Sequence, residues 1–323
     1  MTQVLWCGAA VVTLSMGIRH GFGLWLQPIT MDRGWTRETF AFALAIQNIA
    51  WGIAGPFAGA LADRFGAFKV LIVGSLLYSL GLVTMALATT GLAFTGSAGL
   101  LLGMAQSGTT YAIVYGVIGR NVAPDKRSWA MGVAAAAGSF GQFLMIPVAS
   151  GLIGGMGWFG TLLVFAASAL LIIPLGGALT RGLAAGASGI GQTAREALGE
   201  AMREKSFVLL IAGYFVCGFQ VVFIGAHLPS YVLDKGLTAN TGMLALALIG
   251  LFNIFGTYGF GMLGGRMSKK NLLAGVYLAR SIVIVVFLLV PLSPASVAVF
   301  AAVMGLLWLS TVPLTNGLVA QIF

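Results

Sequence analysis

Charge is what this sequence has least of: 8% of its 323 residues are Asp, Glu, Lys or Arg, where soluble domains carry about 25%. Acidic side chains are the rarer sign, eight against 17 basic ones, and no Asp or Glu lies inside an apolar run away from its ends. Together with 59% apolar residues and a mean hydropathy of +1.00, this excludes a water-soluble globular protein. Cysteine is confined to Cys7 and Cys217, and histidine to His20 and His227. With no CxxC and no Cys/His cluster, neither a disulfide framework nor a zinc site is expected. Absent too are an HExxH pair, a phosphate loop and a Ser/His/Asp arrangement, so no catalytic constellation, metal or cofactor is expected. Long alternating strands, the pattern of an outer-membrane barrel, are missing as well. What is left is an all-α polytopic membrane protein.

Apolar length and glycine are present in excess. Ten stretches reach the roughly 20 residues that a spanning helix needs: 4–27, 38–61, 70–89, 94–119, 129–153, 158–179, 207–233, 239–264, 272–292 and 296–321. The 47 glycines follow no Gly-X-Y period, and their excess fits close helix packing in lipid. Gly52, Gly55 and Gly59 on the second stretch are expected as packing residues of this kind. The first stretch has no Lys or Arg before it and is longer than a signal-peptide core, so it is expected to be retained as a helix.

The placement of basic residues sets the orientation. One set of loops holds Arg64, Lys69, Arg120, Lys126, Arg127, Arg181, Arg195, Arg203, Lys205, Arg266, Lys269 and Lys270, while the opposite set holds Arg33, Arg37 and Lys235. This bias predicts a multi-pass protein of the cytoplasmic (inner) membrane with its N-terminus, its 180–206 connection and its C-terminus in the cytoplasm. The net charge of +9 therefore reads as a topology signal, with the bilayer as partner and no nucleic acid. The 180–206 connection is the expected linker between a six-helix half, 1–179, and a four-helix half, 207–323. Within it Ile190, Ala194, Leu198 and Met202 recur every four residues, while Arg195, Glu196, Glu200, Arg203 and Glu204 face elsewhere. That pattern fits a helix on the membrane surface or a solvated linker helix.

The two halves repeat one another. The first helix ends in Gly17-Ile-Arg-His, then Gln-Pro28, then Asp32-Arg33-Gly34-Trp35-Thr36; the seventh reads Gly218-Phe-Gln-Val, then Leu-Pro229, then Asp234-Lys235-Gly236-Leu237-Thr238. After the second helix comes Gly59-Ala-Leu-Ala-Asp63-Arg64-Phe-Gly66-Ala-Phe-Lys69, and after the eighth Gly261-Met-Leu-Gly-Gly265-Arg266-Met-Ser268-Lys269. The prolines are offset by 201 residues and the glycines that open these loops by 202.

The Gly59–Lys69 stretch resembles the loop between helices two and three of the major facilitator superfamily. The resemblance implies two six-helix halves working by alternating access, with Gly59, Asp63, Arg64, Gly66 and Lys69 acting in conformational gating. The second copy departs from the pattern, because Gly265 replaces the acid and Ser268 the glycine. The loop's charge contacts are thus expected to rest on Asp63 and Arg64. The strings Gly34 to Phe40, Ala137 to Phe143 and His227-Leu228-Pro229 look like the bacterial monocarboxylate-porter branch, relatives of oxalate/formate exchangers. By the repeat, an eleventh and a twelfth helix are expected beyond Phe323, leaving ten of twelve. Either a shortened gene or a fold cut short in nature accounts for that.

Ionisable groups inside a bilayer are costly and so are candidates for function. Here they are Arg19, His20, His227 and Arg280. With no in-span carboxylate to pair with Arg19, a small anionic substrate is its natural counter-charge, bound by a planar fork that matches a carboxylate. The alternative is that Arg19 snorkels toward headgroups. In facilitator-type folds the first, fourth, seventh and tenth helices line the cavity, so the resemblance favours Arg19 for the substrate and assigns Arg280, on the ninth, a structural place. Gln220 occupies the repeat position of Arg19 and shares a helix face with Phe223 and His227. His227 can hydrogen-bond a carboxylate, carry a proton (its unperturbed pKa is about 6.5) or bond a backbone carbonyl. Gln106 and Thr110, Tyr111 and Tyr115, Trp308, Thr311 and Thr315, Ser139 and Gln142, and Asn253 and Thr257 add polar or aromatic stripes. Of these, Gln142, Thr110, Tyr111, Tyr115 and Asn253 join Arg19, Gln220 and His227 as expected substrate contacts. The leading reading is a secondary transporter of small organic anions, monocarboxylates foremost, with H+ as a co-substrate to be tested. An inactive fragment, a transporter of another small solute and an intramembrane enzyme are the alternatives, the last disfavoured by the lack of in-span acids.

Overall fold

A computed structural model describes residues 2–181 and 194–322, and every element among them is helical. Contacts divide the chain into two compact units, Met1–Ala187 and Ser188–Phe323. The first holds α1 (Thr2–His20), α2 (Phe22–Arg33), α3 (Arg37–Phe65), α4 (Ala67–Leu87), α5 (Gly91–Phe94), a π-helical stretch (Thr95–Leu101), α6 (Leu102–Thr109), α7 (Tyr111–Asn121), α8 (Pro124–Ala169) and α9 (Ile172–Thr180). The second holds α10 (Ala194–Arg203), α11 (Lys205–Asp234), α12 (Ala239–Arg266), α13 (Lys269–Leu289), α14 (Pro294–Leu307) and α15 (Thr311–Ile322). Residues 182–193 of the expected linker, Ile190 among them, lie outside the described residues; the part that follows forms α10 and the start of α11.

Seven stretches among the described residues are long and apolar enough to cross a bilayer. One of them, Ala130–Thr180, contains two of the expected spans. They part at Gly157, whose φ of 74° and ψ of 173° interrupt α8. The expected spans 4–27 and 94–119 are helical but broken. The first turns at Gly21, which separates α1 from α2. The fourth runs through the π-helical stretch and then breaks at Thr110, extended at φ −111° and ψ −158°. The tenth breaks between Leu307 and Thr311. Pro313 is the local cause there: it lacks the N–H that an unbroken helix would donate to the Leu309 carbonyl, which instead accepts from Val312 N at 3.0 Å.

The repeat is visible in backbone geometry. Gly34 and Gly236 close α2 and α11 with φ of 67° and 85°, the left-handed conformation that glycine adopts without strain. Thr36 and Thr238 then open the next helices with nearly identical angles, −75° and 156° against −80° and 155°. The second landmark diverges where the sequence does. Gly66 takes φ of 93° between α3 and α4, whereas Ser268, its counterpart, opens α13 at φ −59° and ψ 113°.

Glycine lets helices of the first unit touch, but at other positions than the sequence suggested. Outside their own helix, nothing lies within 4 Å of a Cβ built on Gly52, Gly55 or Gly59. Their expected role as packing residues is therefore not what their unit shows. Close approaches include Gly141 on the Thr13 carbonyl, Gly17 on Met145 and Gly103 on the Gln47 carbonyl. Gly141 and Gly17 join α8 to α1, and Gly103 joins α6 to α3. Polar side chains secure the same contacts: Thr13 Oγ1 donates to Ala137 O at 2.9 Å, and buried Gln47 donates to Ala98 O, inside the π-helical stretch, at 2.7 Å. Such bonds replace the water that lipid-embedded backbone groups cannot reach.

Candidate functional site

Arg19 stands two residues before the Gly21 turn. Its guanidinium is half-buried and held by two neighbouring helices. Nη2 donates to Asn48 Oδ1 of α3 at 2.6 Å, and Nε donates to Gln106 Oε1 of α6 at 3.3 Å. Asn48 passes its own Nδ2 to Leu44 O at 2.7 Å, which leaves Oδ1 for the arginine. Trp51, one helical turn on from Asn48, lies under the guanidinium carbon, 4.5 Å from ring centroid to Cζ. One edge of the fork is thus taken by two neutral oxygens and one face by an indole. The Nη1 edge makes no hydrogen bond among the described residues, and no carboxylate pairs with the group.

The end of α1 is fixed around this arginine. Tyr78 of α4 donates its hydroxyl to Ser15 O at 3.0 Å, Ser15 and Thr109 share a hydrogen bond at 3.1 Å, and His20 holds Met16 O through Nδ1 at 2.7 Å. A cation held this way by neutral groups keeps its charge available at a defined position.

The other expected contacts of the first unit sit beyond the Thr110 break or on α8. Thr110 is buried at the break itself. Tyr111 and Tyr115 pair at 5.4 Å between ring centroids, and a Cβ on Gly138 would collide with the Tyr111 hydroxyl. Gln142 is buried on α8. None of these is bonded to Arg19, whose partners Asn48 and Gln106 lay outside the expected set.

In the second unit, His227 lies tilted against Phe223 at 4.9 Å between centroids, and Phe223 in turn stacks on Phe219 at 5.9 Å. Gln220 accepts from Arg280 Nη1 at 3.5 Å. Asn253 is fully buried, and its Oδ1 accepts from Leu309 N at 3.0 Å and from Thr257 Oγ1 at 3.1 Å.

At the end of α3, Asp63 Oδ1 pairs with Arg120 Nη1 of α7 at 2.5 Å. Asp63 is 59% exposed and Arg120 29%, and exposed pairs of this kind contribute little to stability. Gly66 makes the sharp turn that follows, and Arg64 lies over Phe65 at 5.2 Å. Lys69 is exposed.

Comparison with known proteins places this geometry in a family. The profile of the Major Facilitator Superfamily matches residues 5–323. Monocarboxylate transporter 11 of Homo sapiens is 28% identical over 319 residues, covering 95% of this chain and 61% of that protein. Its Mus musculus counterpart is 30% identical over 249 residues, 74% of this chain and 54% of that one. The chain thus spans little more than half the length of these relatives. An uncharacterized MFS-type transporter of Bacillus subtilis, YcxA, is 22% identical over 94% of this chain and 76% of its own length. Among solved structures, a bacterial homologue of the human lysosomal transporter Spinster matches in its inward-facing unoccupied and occupied conformations. The TM-scores are 0.71 and 0.73 at 15% and 16% identity, over 98% and 96% of this chain and 74% and 73% of theirs.

Proposed function

The chain belongs to the major facilitator superfamily, and on that footing we propose that it carries small organic anions, monocarboxylates foremost, across the cytoplasmic membrane by alternating access. The observation that carries this reading is the half-engaged guanidinium of Arg19. Asn48 and Gln106 orient it through neutral oxygens, so its charge is not cancelled. A carboxylate placed against the Nη1 and Nη2 edge completes the fork with two charge-assisted hydrogen bonds. Burial makes the empty site unfavourable, and an anion relieves that cost. The 28% identity to a monocarboxylate transporter points the same way. Proton coupling, in this reading, has His20, His227 and the substrate itself as carriers.

The test is uptake of radiolabelled L-lactate into proteoliposomes containing the purified chain, challenged with pyruvate, oxalate, formate and L-lactamide. Carboxylates are expected to compete, whereas lactamide, with the same shape and no charge, leaves uptake unchanged. Equal competition by the amide, or uptake of none of the acids, would overturn the proposal.

The Asp63–Arg120 pair belongs to a different step. Being exposed at the helix ends, it can alter transport through the exchange between conformations and not through the solute. Asp63→Asn is expected to lower the maximal uptake rate about fivefold, with KM within about twofold of wild type. A raised KM at an unchanged maximal rate would remove it from gating.

A further inference from the structure

In the second unit, Arg280 is 1% exposed and its bonds converge on the break in the tenth span. Nε and Nη2 donate to Leu307 O at 3.0 and 2.6 Å, and Nη2 also donates to Trp308 O. In an unbroken helix these two carbonyls would accept from Thr311 N and Val312 N. Val312 N goes to Leu309 O instead, so the arginine replaces backbone bonds that the break removes. The opposite side of the break is held from α12, where Asn253 Oδ1 accepts from Leu309 N at 3.0 Å. A third helix joins from α11: Cys217 Sγ and Thr311 Oγ1 share a contact at 3.2 Å. Two helices, α13 and α12, therefore satisfy backbone groups that the break leaves unpaired, a third touches it through a side chain, and an arginine at the carboxyl end of α14 also meets that end of the helix dipole.

The two sides of the break are held differently. Before it, α14 lies against α12 through glycine: a Cβ on Gly256 would strike the Leu306 carbonyl, and one on Gly305 would meet Ile249 and Phe252 at 2.8 Å. That stem has no room to shift. At the break the ties are hydrogen bonds, which can exchange partners at little cost. Arg280 Nη1 also reaches Cys217 Sγ at 3.2 Å and Gln220 Oε1 at 3.5 Å. One guanidinium thus touches both the break and the polar face of α11.

We propose that Arg280 is a positioning residue for transport: it holds the break between α14 and α15 as a hinge and ties that hinge to α11 through Cys217 and Gln220. The inference rests on alternating access and is independent of which solute is carried. Arg280→Met keeps the volume and removes every donor, whereas Arg280→Lys keeps the charge and one reachable carbonyl. If Arg280 only filled space, methionine would serve as well as arginine, since apolar replacements of buried charges often do.

Hydrogen–deuterium exchange of the full chain in lipid nanodiscs, read by mass spectrometry, separates these cases. Arg280→Met is expected to speed exchange at Trp308–Val312 at least about tenfold while leaving α12 and α13 unchanged, and Arg280→Lys is expected to fall between methionine and wild type. No local change in the methionine variant, a rise spread evenly over α11–α15, or a lysine variant no better than methionine would each overturn the proposal. In proteoliposomes, Arg280→Lys is expected to lower kcat for L-lactate about tenfold with KM within about twofold of wild type. Absence of lactate uptake by the wild-type chain counts against the monocarboxylate reading alone, and the exchange data then decide the hinge.

Discussion

Arg19→Lys is expected to reduce carboxylate uptake about a hundredfold, ~3 kcal/mol, the middle of the range for disrupting a buried charge-assisted pair. The substitution keeps the positive charge, so a loss of this size isolates geometry. An ammonium has three donors on a flexible stem, with no plane to lie on Trp51 and no fork to span two oxygens of a carboxylate. It can reach the Asn48 oxygen or the Gln106 oxygen, but contact with either turns it from the substrate. Arg19→Gln, which removes the charge as well, is expected to abolish uptake. Circular dichroism and chromatographic behaviour in detergent should match wild type for both, because Tyr78, Ser15, Thr109 and His20 secure the end of α1 without the guanidinium. Uptake by the lysine variant at the wild-type rate would remove Arg19 from the substrate path.

That Arg19 is a candidate at all was legible in the sequence, since a charge within an apolar run has a cost that only a partner or a ligand relieves. Its partners were not legible. Asn48 and Gln106 lie 29 and 87 residues away, and nothing in the composition of their helices says which face turns toward Arg19. One signal was available: Asn48 and Trp51 fall a single turn apart in the middle of a helix whose only other polar residue there is Gln47. The helix breaks were hidden for another reason. Hydropathy averages over about 20 residues, so a turn at Gly21 or one extended residue at Thr110 disappears into an apolar stretch. Pro313 was a visible cue for the third break. The Gly34 and Gly236 turns were readable because each joins a left-handed glycine to a following threonine cap. Gly52, Gly55 and Gly59 meet no neighbour within their own unit; spacing identifies a flat helix face and does not identify the face that meets it.

The most discriminating substitution is Asn48→Asp. It exchanges one neutral atom for a charged one at the position that already lies 2.6 Å from Arg19 Nη2, with almost no change in size. An ionised carboxylate there forms an ion pair with the guanidinium and supplies, inside the protein, the counter-charge that a substrate would bring. Such a tethered group acts at an effective concentration in the millimolar range or above and is never diluted away. Uptake of L-lactate is expected to fall about a hundredfold, while the thermal unfolding midpoint stays equal to or above that of wild type. Asn48→Ala removes the same hydrogen bond and adds no charge. It should cost only about 1 kcal/mol of orientation, a several-fold loss of uptake. The ordering carries the argument, because a site for an anion makes aspartate far worse than alanine, whereas a site for a cation or a neutral solute makes aspartate the milder change. An aspartate variant that transports lactate as well as the alanine variant would show that the charge of Arg19 is not what the substrate meets.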